Sequence, residues 1–169
     1  MRERDYEKGY KWLELAQTEF HQHEFSDEER IRRSIHLHYY GGVIRYETGL
    51  YQEAKDFFQR VMELSQAVNW QRAGSYAQNY LADIAIEEGD YTEAESLLQS
   101  GLPVAERNKD KRRTAFYKRS FACLELKRDD FARAKPWVMA ALDGFDRLGM
   151  QPEADEMRNL LEELNQLES

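Results

Sequence analysis

The sequence predicts an all-α protein of about eight helices arranged as antiparallel pairs. Two observations predict it: apolar residues recur at i, i+3, i+4 and i+7 along most of the chain, and a six-residue motif returns at a spacing of 40 residues. Size and composition agree with that reading. The chain has 169 residues, 41% of them hydrophobic and 33% charged, with only 3 prolines, as expected of a single helical domain.

The first element is the stretch Asp5-Tyr6-Glu7-Lys8-Gly9-Tyr10-Lys11-Trp12-Leu13, which reads as the turn and second helix of a half unit over 1–26. Unit one, 27–69, has a first helix carrying Ile35 to Tyr46, the motif Gly49-Leu50-Tyr51-Gln52-Glu53-Ala54, and a second helix with Phe57, Phe58, Val61, Met62 and Leu64 on its apolar face. Unit two, 70–109, repeats this with Tyr76 to Ile86, then Gly89-Asp90-Tyr91-Thr92-Glu93-Ala94, then Leu97, Leu98 and Leu102. In unit three, 110–149, Phe116 to Leu126 precede Asp129-Asp130-Phe131-Ala132-Arg133-Ala134, and Trp137, Val138, Ala141 and Leu142 follow. The segment 150–169 is a capping helix with Met157, Leu160, Leu161, Leu164 and Leu167 on one side and acids on the other. A glycine at the turn accepts positive φ and ends the first helix, and the alanine lets the second helix pack closely against it. Two departures stand out. Asp129 replaces the turn glycine, and Pro136 falls in a second helix, which predicts a kink or a late helix start near 132–136.

The recurring small residue of the first helix (Gly42, Ala82, Ala122), the Gly-x-Tyr-x-x-Ala turn and the bulky residue four beyond its alanine (Phe58, Leu98, Val138) resemble the tetratricopeptide repeat (TPR) family. A 40-residue unit is similar to the long-unit type found in the helical arms of bacterial signalling ATPases and transcription regulators, in kinesin light chains and in peptide-pheromone receptors. Asn69 to Ala82 looks especially like the linker and first helix of the signalling arms. The resemblance covers nearly the whole chain and implies a right-handed superhelix of helix pairs. No Pro/Gly/Ser-rich linker divides it, so one domain is expected, each hairpin burying its apolar face on the next. The early start, with Tyr6, Tyr10 and Trp12, reads as a cut surface: either copies pair through a terminal half unit, or the chain is a piece of a longer arm.

Charge and residue types exclude several classes of function. With 24 Lys+Arg against 32 Asp+Glu the net charge is −8, which repels phosphate backbones and argues against nucleic acid as a partner. No run approaches the roughly 20 apolar residues of a membrane span, and Met1 to Tyr6 lacks the apolar stretch of a signal peptide, so no membrane contact and a cytoplasmic location are expected. One cysteine, Cys123, permits neither an internal disulfide nor a thiolate cluster. The histidines fall as His21/His23 and His36/His38, and i, i+2 pairs on a helix point to different sides rather than to one metal. No phosphate-binding loop of the G-x-x-x-x-G-K-[ST] form occurs. The expectation is a protein that is not an enzyme and uses no metal or other cofactor.

The resemblance implies a concave face formed by the first helices, where extended peptides or partner helices lie. Its groove positions fall at His36, Tyr39, Val43 and Tyr46; at Tyr76, Asn79, Asp83 and Ile86; and at Phe116, Arg119, Cys123 and Leu126. The row His36, Tyr76 and Phe116 is aromatic, and Tyr39, Tyr46 and Tyr80 add amphipathic surface. Asn79 can donate to and accept from a peptide backbone, and Arg119 can grip a carboxylate with a forked contact. A second row, Arg32, Arg72 and Arg112, stands four residues before the aromatics. These arginines either pair with acids of a preceding helix or form a positive stripe suited to an acidic peptide or a C-terminus. The function expected is a peptide- or protein-binding scaffold or sensor; the alternative is the regulatory arm of a larger signalling ATPase or transcription regulator.

Overall fold

A computed structural model describes residues 6–167, and within them the chain is all-helical: α1 Tyr6–Gln22, α2 Asp27–Glu47, α3 Tyr51–Ala67, α4 Gln71–Glu88, α5 Tyr91–Arg107, α6 Lys111–Lys127, α7 Phe131–Arg147 and α8 Gln151–Leu167. Residues Met1 to Asp5, Glu168 and Ser169 lie outside that range. No helix among the described residues is long and apolar enough to cross a membrane. Two compact units, Met1–Ile84 and Ala85–Ser169, divide the chain inside α4.

The turns carry a finer period than the one legible in the motif. Residues 49, 69, 89, 109, 129 and 149 all have positive φ, so a left-handed residue closes a helix every 20 positions. Each turn has the same two bonds. At the first, Gly49 N donates to Tyr46 O at 3.1 Å and Leu50 N to Arg45 O at 2.8 Å; at the fifth, Asp129 N donates to Leu126 O at 3.0 Å and Asp130 N to Glu125 O at 2.9 Å. This is the Schellman arrangement, which satisfies helix-end carbonyls otherwise left without donors. Asp129 takes the glycine's role at φ 58, a conformation Asp and Asn tolerate better than most residues. Asp90, Asp110 and Asp130 then cap the next helix, each accepting from the backbone N–H three residues on at 3.0 Å.

Pro136 lies inside α7, which begins at Phe131. The late start expected from the proline does not occur, because the Asp130 cap and the burial of Ala134 and Val138 hold the first turns in place. The motif alanines Ala54, Ala94 and Ala134 and the bulky Phe58, Leu98 and Val138 are fully buried. Each bulky side chain contributes about 1.5–3 kcal/mol by leaving water.

In the first unit Ile35, Ala54, Phe58, Val61, Ala77 and Ile84 form the core, drawing on α2, α3 and α4. A Cβ on Gly42 would stand 2.8 Å from the Phe58 ring, so the small residue there makes room for the large one opposite. In the second unit α6, α7 and α8 supply Ala122, Val138, Phe145 and Met157 to a separate core. There Tyr117 is fully buried, with its ring against Gly101 of α5 where a Cβ would otherwise project.

The first helix pair departs from the 20-residue period. Aligned on their aromatic starts, α1 at Tyr6 and α3 at Tyr51 are 45 residues apart rather than 40. The five extra residues appear as one added turn at the start of α2 and a longer connection. A capping box replaces the Schellman turn there: Glu29 N donates to Ser26 Oγ at 3.4 Å and Ser26 N to Glu29 Oε2 at 3.2 Å. These hydrogen bonds, the Ser26 side chain first, hold the Glu29 carboxyl below its ordinary value. No residue of α1 is fully buried.

Candidate functional site

Three of the expected groove residues converge in the first unit. His36 and Tyr39 on α2 and Tyr76 on α4 line a concavity of about 270 Å³ together with Tyr40, Trp70 and Arg72. Its floor is the buried pair Ile35 and Val61. Local folding explains how each side chain arrives. His36 and Tyr40 are one turn apart on α2, and Arg72 and Tyr76 one turn apart on α4. Trp70 ends the α3–α4 turn, where its N–H donates to Ser65 O at 2.7 Å and its ring swings toward α2. The His36 and Trp70 rings meet edge-on with centroids 5.3 Å apart, and Tyr39 lies 6.1 Å from Tyr76.

Guanidinium groups flank this aromatic wall. Arg32 stands 5.1 Å above the Trp70 ring while holding Glu28 at 2.9 Å. Arg72 donates from Nε and Nη2 to the Tyr76 hydroxyl at 3.3 and 3.2 Å. Arg32 thus makes a cation–π contact, worth about 0.5–1 kcal/mol at exposed sites, while Arg72 grips the hydroxyl end of Tyr76, 5.7 Å from the ring centroid. The chemistry is that of an apolar socket with cationic hydrogen-bond donors at its rim. It suits an apolar or aromatic side chain next to a carboxylate.

The remaining expected residues are distributed differently. Tyr80 stacks on Phe58 with centroids 4.7 Å apart and planes 6° apart, packing half-buried against the first core. Asn79 is 1% exposed, inside the helix packing rather than on an open face. Asp83 is half-buried. Val43 and Tyr46 pack against the first core, and Ile86 is buried.

In the second unit Phe116 packs against the core, edge-on to Phe145 at 5.2 Å, and three guanidiniums surround it: Arg112 at 5.8 Å, Arg113 at 5.5 Å and Arg119 at 5.2 Å. Arg119 also reaches Glu156 of α8 at 3.8 Å. Cys123 is half-buried, and Leu126 packs against the core. Among the described residues no group of three or more His, Cys, Asp or Glu converges on a metal position.

Sequence reasoning missed two members of the concavity and one buried acid. Tyr40 was signalled by its position one turn after His36, and Trp70 by the apolar residue that a Schellman turn favours just past its left-handed position. Glu125, 1% exposed, takes Arg128 at 3.4 Å and Arg133 at 3.1 Å on one oxygen, and Arg128 bonds onward to Glu95 at 2.7 Å. The hydrogen bond that Arg128 donates to Glu95 leads the causes that raise its pKa above its ordinary value.

The fold and this concavity define a class, an all-helical repeat protein with an aromatic socket on its first helices. Scanned against protein-family models the chain finds no match, and no curated protein matches it.

Proposed function

We propose that this chain is a non-catalytic, TPR-like scaffold or sensor module that works in the cytoplasm and binds a peptide or protein segment. Within the described residues, the binding surface of this reading is the concavity of α2 and α4. The observation that supports it is the convergence of His36, Tyr39, Trp70 and Tyr76 with Arg72 around one opening. The preferred ligand is a segment with an apolar or aromatic side chain beside a carboxylate, either a free C-terminus or an acidic residue.

Trp70 provides the readout. A peptide library that pairs free with amidated C-termini, screened by quenching of tryptophan emission, is expected to yield ligands that lose most of their affinity on amidation or on removal of an acidic residue. Arg72→Ala is expected to weaken them by about tenfold, equal to 1.4 kcal/mol, and Tyr76→Ala by at least as much, with the melting temperature unchanged. The proposal fails if every ligand recovered binds both variants as well as it binds the parent protein.

A further inference from the structure

The five-residue offset at the α1–α2 connection leaves a second and larger opening, a groove of about 870 Å³ between these two helices. Its lining is mostly apolar, with Leu13 and Phe20 from α1 and Leu37, Tyr40 and Ile44 from α2, and Trp12 stands 67% exposed at its edge. The internal repeat says what such a groove holds.

Forty residues on, Tyr40 and Ile44 become Tyr80 and Ile84 of α4. Ile84 is buried and Tyr80 half-buried. Tyr80 lies edge-on to Tyr39 and Tyr46 of α2 at 6.0 and 5.3 Å, and Ile84 has no exposed surface. Thus α2 is the helix that closes the socket formed by α3 and α4. On α1 and α2 the matching socket is open, and Tyr40 is 58% exposed. Among the described residues no helix does for α1 and α2 what α2 does for α3 and α4.

The occupant must be a helix with an apolar face like that of α2, Ile35, Tyr39, Val43 and Tyr46. A helix in that place runs parallel to α2, so its N-terminus meets the end of the groove where Arg33 stands, 4.3 Å over the Phe25 ring. A carboxylate in its first turn is favoured there by the helix dipole and by that guanidinium, with Glu19 of the same lining opposing it. The last helix of a second copy does not fit. At the register of Ile35, Tyr39 and Val43, α8 carries Asp155, Asn159 and Glu163, all exposed, and seating it would bury two carboxylates against apolar side chains.

We infer that the α1–α2 groove receives an amphipathic helix of a partner protein, about four turns long, acidic in its first turn and apolar at positions i, i+4, i+8 and i+11. This inference does not depend on the α2–α4 concavity being a peptide site.

The test uses the full chain and a fluorescein-labelled synthetic peptide of the sequence 27–47, which has that acidic start and that apolar face. Saturable one-to-one binding is expected, weakened at least tenfold by Trp12→Glu and by Ala16→Glu, two exposed positions of α1 that line this groove and not the α2–α4 concavity, while circular dichroism and melting temperature hold. A peptide with Ser in place of Ile35, Tyr39 and Val43 is expected not to bind. Absence of saturation up to about 1 mM peptide, the limit of weak affinity, overturns the inference. So does binding that neither substitution alters. Sedimentation of the chain alone is expected to show monomer; a dimer dissolved by Trp12→Glu assigns the groove to a second copy and likewise overturns it.

Discussion

The hairpins α2–α3 and α6–α7 close with the same ion pair built in opposite polarity. In the first, Arg45 from the last turn of α2 holds Glu53 in the first turn of α3 at 2.9 Å. In the second, Glu125 and Arg133 occupy the same two places, 80 residues on, at 3.1 Å. The pair can invert because the turn between its members is fixed by backbone bonds, not by charge.

Inversion has a cost that only the second hairpin meets. A cation at a helix C-terminus agrees with the macrodipole and an anion opposes it by a few tenths of a kcal/mol up to ~1 kcal/mol. Arg45 needs no second charged partner: it donates to Gly41 O at 3.2 Å and stacks 4.2 Å over Phe57. Glu125 is buried and recruits the C-cap residue Arg128, which Glu95 of α5 anchors in turn. Packing shows the same exchange. Gly42 faces Phe58 in the first hairpin, while the second puts Ala122 and Val138 at those positions, so bulk moves from one helix to the other.

The largest expected effect tests that exchange of bulk. Phe58→Ala empties a fully buried site and is expected to lower unfolding free energy by about 3–5 kcal/mol, against about 2 kcal/mol for Val138→Ala, both read from urea denaturation. Equal losses would mean that the two hairpins are packed alike despite their sequences. Next comes the ion pair. Glu125→Ala is expected to cost about 1–3 kcal/mol, because it strips the partner from two arginines and leaves a void, whereas Glu53→Ala, with a half-exposed side chain, should cost under about 1 kcal/mol.

The turns should rank third. Gly49→Ala forces an alanine to φ 79 and is expected to cost about 1 kcal/mol; Asp129→Gly removes the same strain from the other hairpin and is expected to gain up to about 1 kcal/mol. Thermal unfolding of the two variants should move in opposite directions. The smallest effect concerns how α2 begins. The Glu29 carboxyl is held below 4.5 when folded, so its capping contribution is present above that value and is lost as pH falls through the depressed folded value. Carboxyl NMR should place its titration midpoint under 4.5, and Ser26→Ala should return it toward that figure.

Much of this architecture could be read from the sequence. The turn glycines Gly49 and Gly89, the motif alanines and the alternation of helix and turn followed from the 40-residue spacing. The 20-residue period did not, because at residues 69, 109 and 129 the left-handed position is filled by Asn, Lys and Asp, and a search for turn glycines passes over them. The concavity was half legible. Helical spacing tells which side chains share a face, so His36, Tyr39 and Tyr76 were found together. It does not tell which neighbour covers that face, and so Asn79 proved to be buried and Tyr80 to pack half-buried against the core. Glu125 escaped notice because a lone acid among 32 carries no signal until its burial and its arginines are seen.

Uniform junctions every twentieth residue set a rule of parity for how such a chain can grow. Duplicating two successive helices with their bends leaves every later joint meeting the same kind of neighbour as before. Duplicating one helix alone would turn each later inner face outward, so lengthening by evolution or by engineering should proceed in even steps.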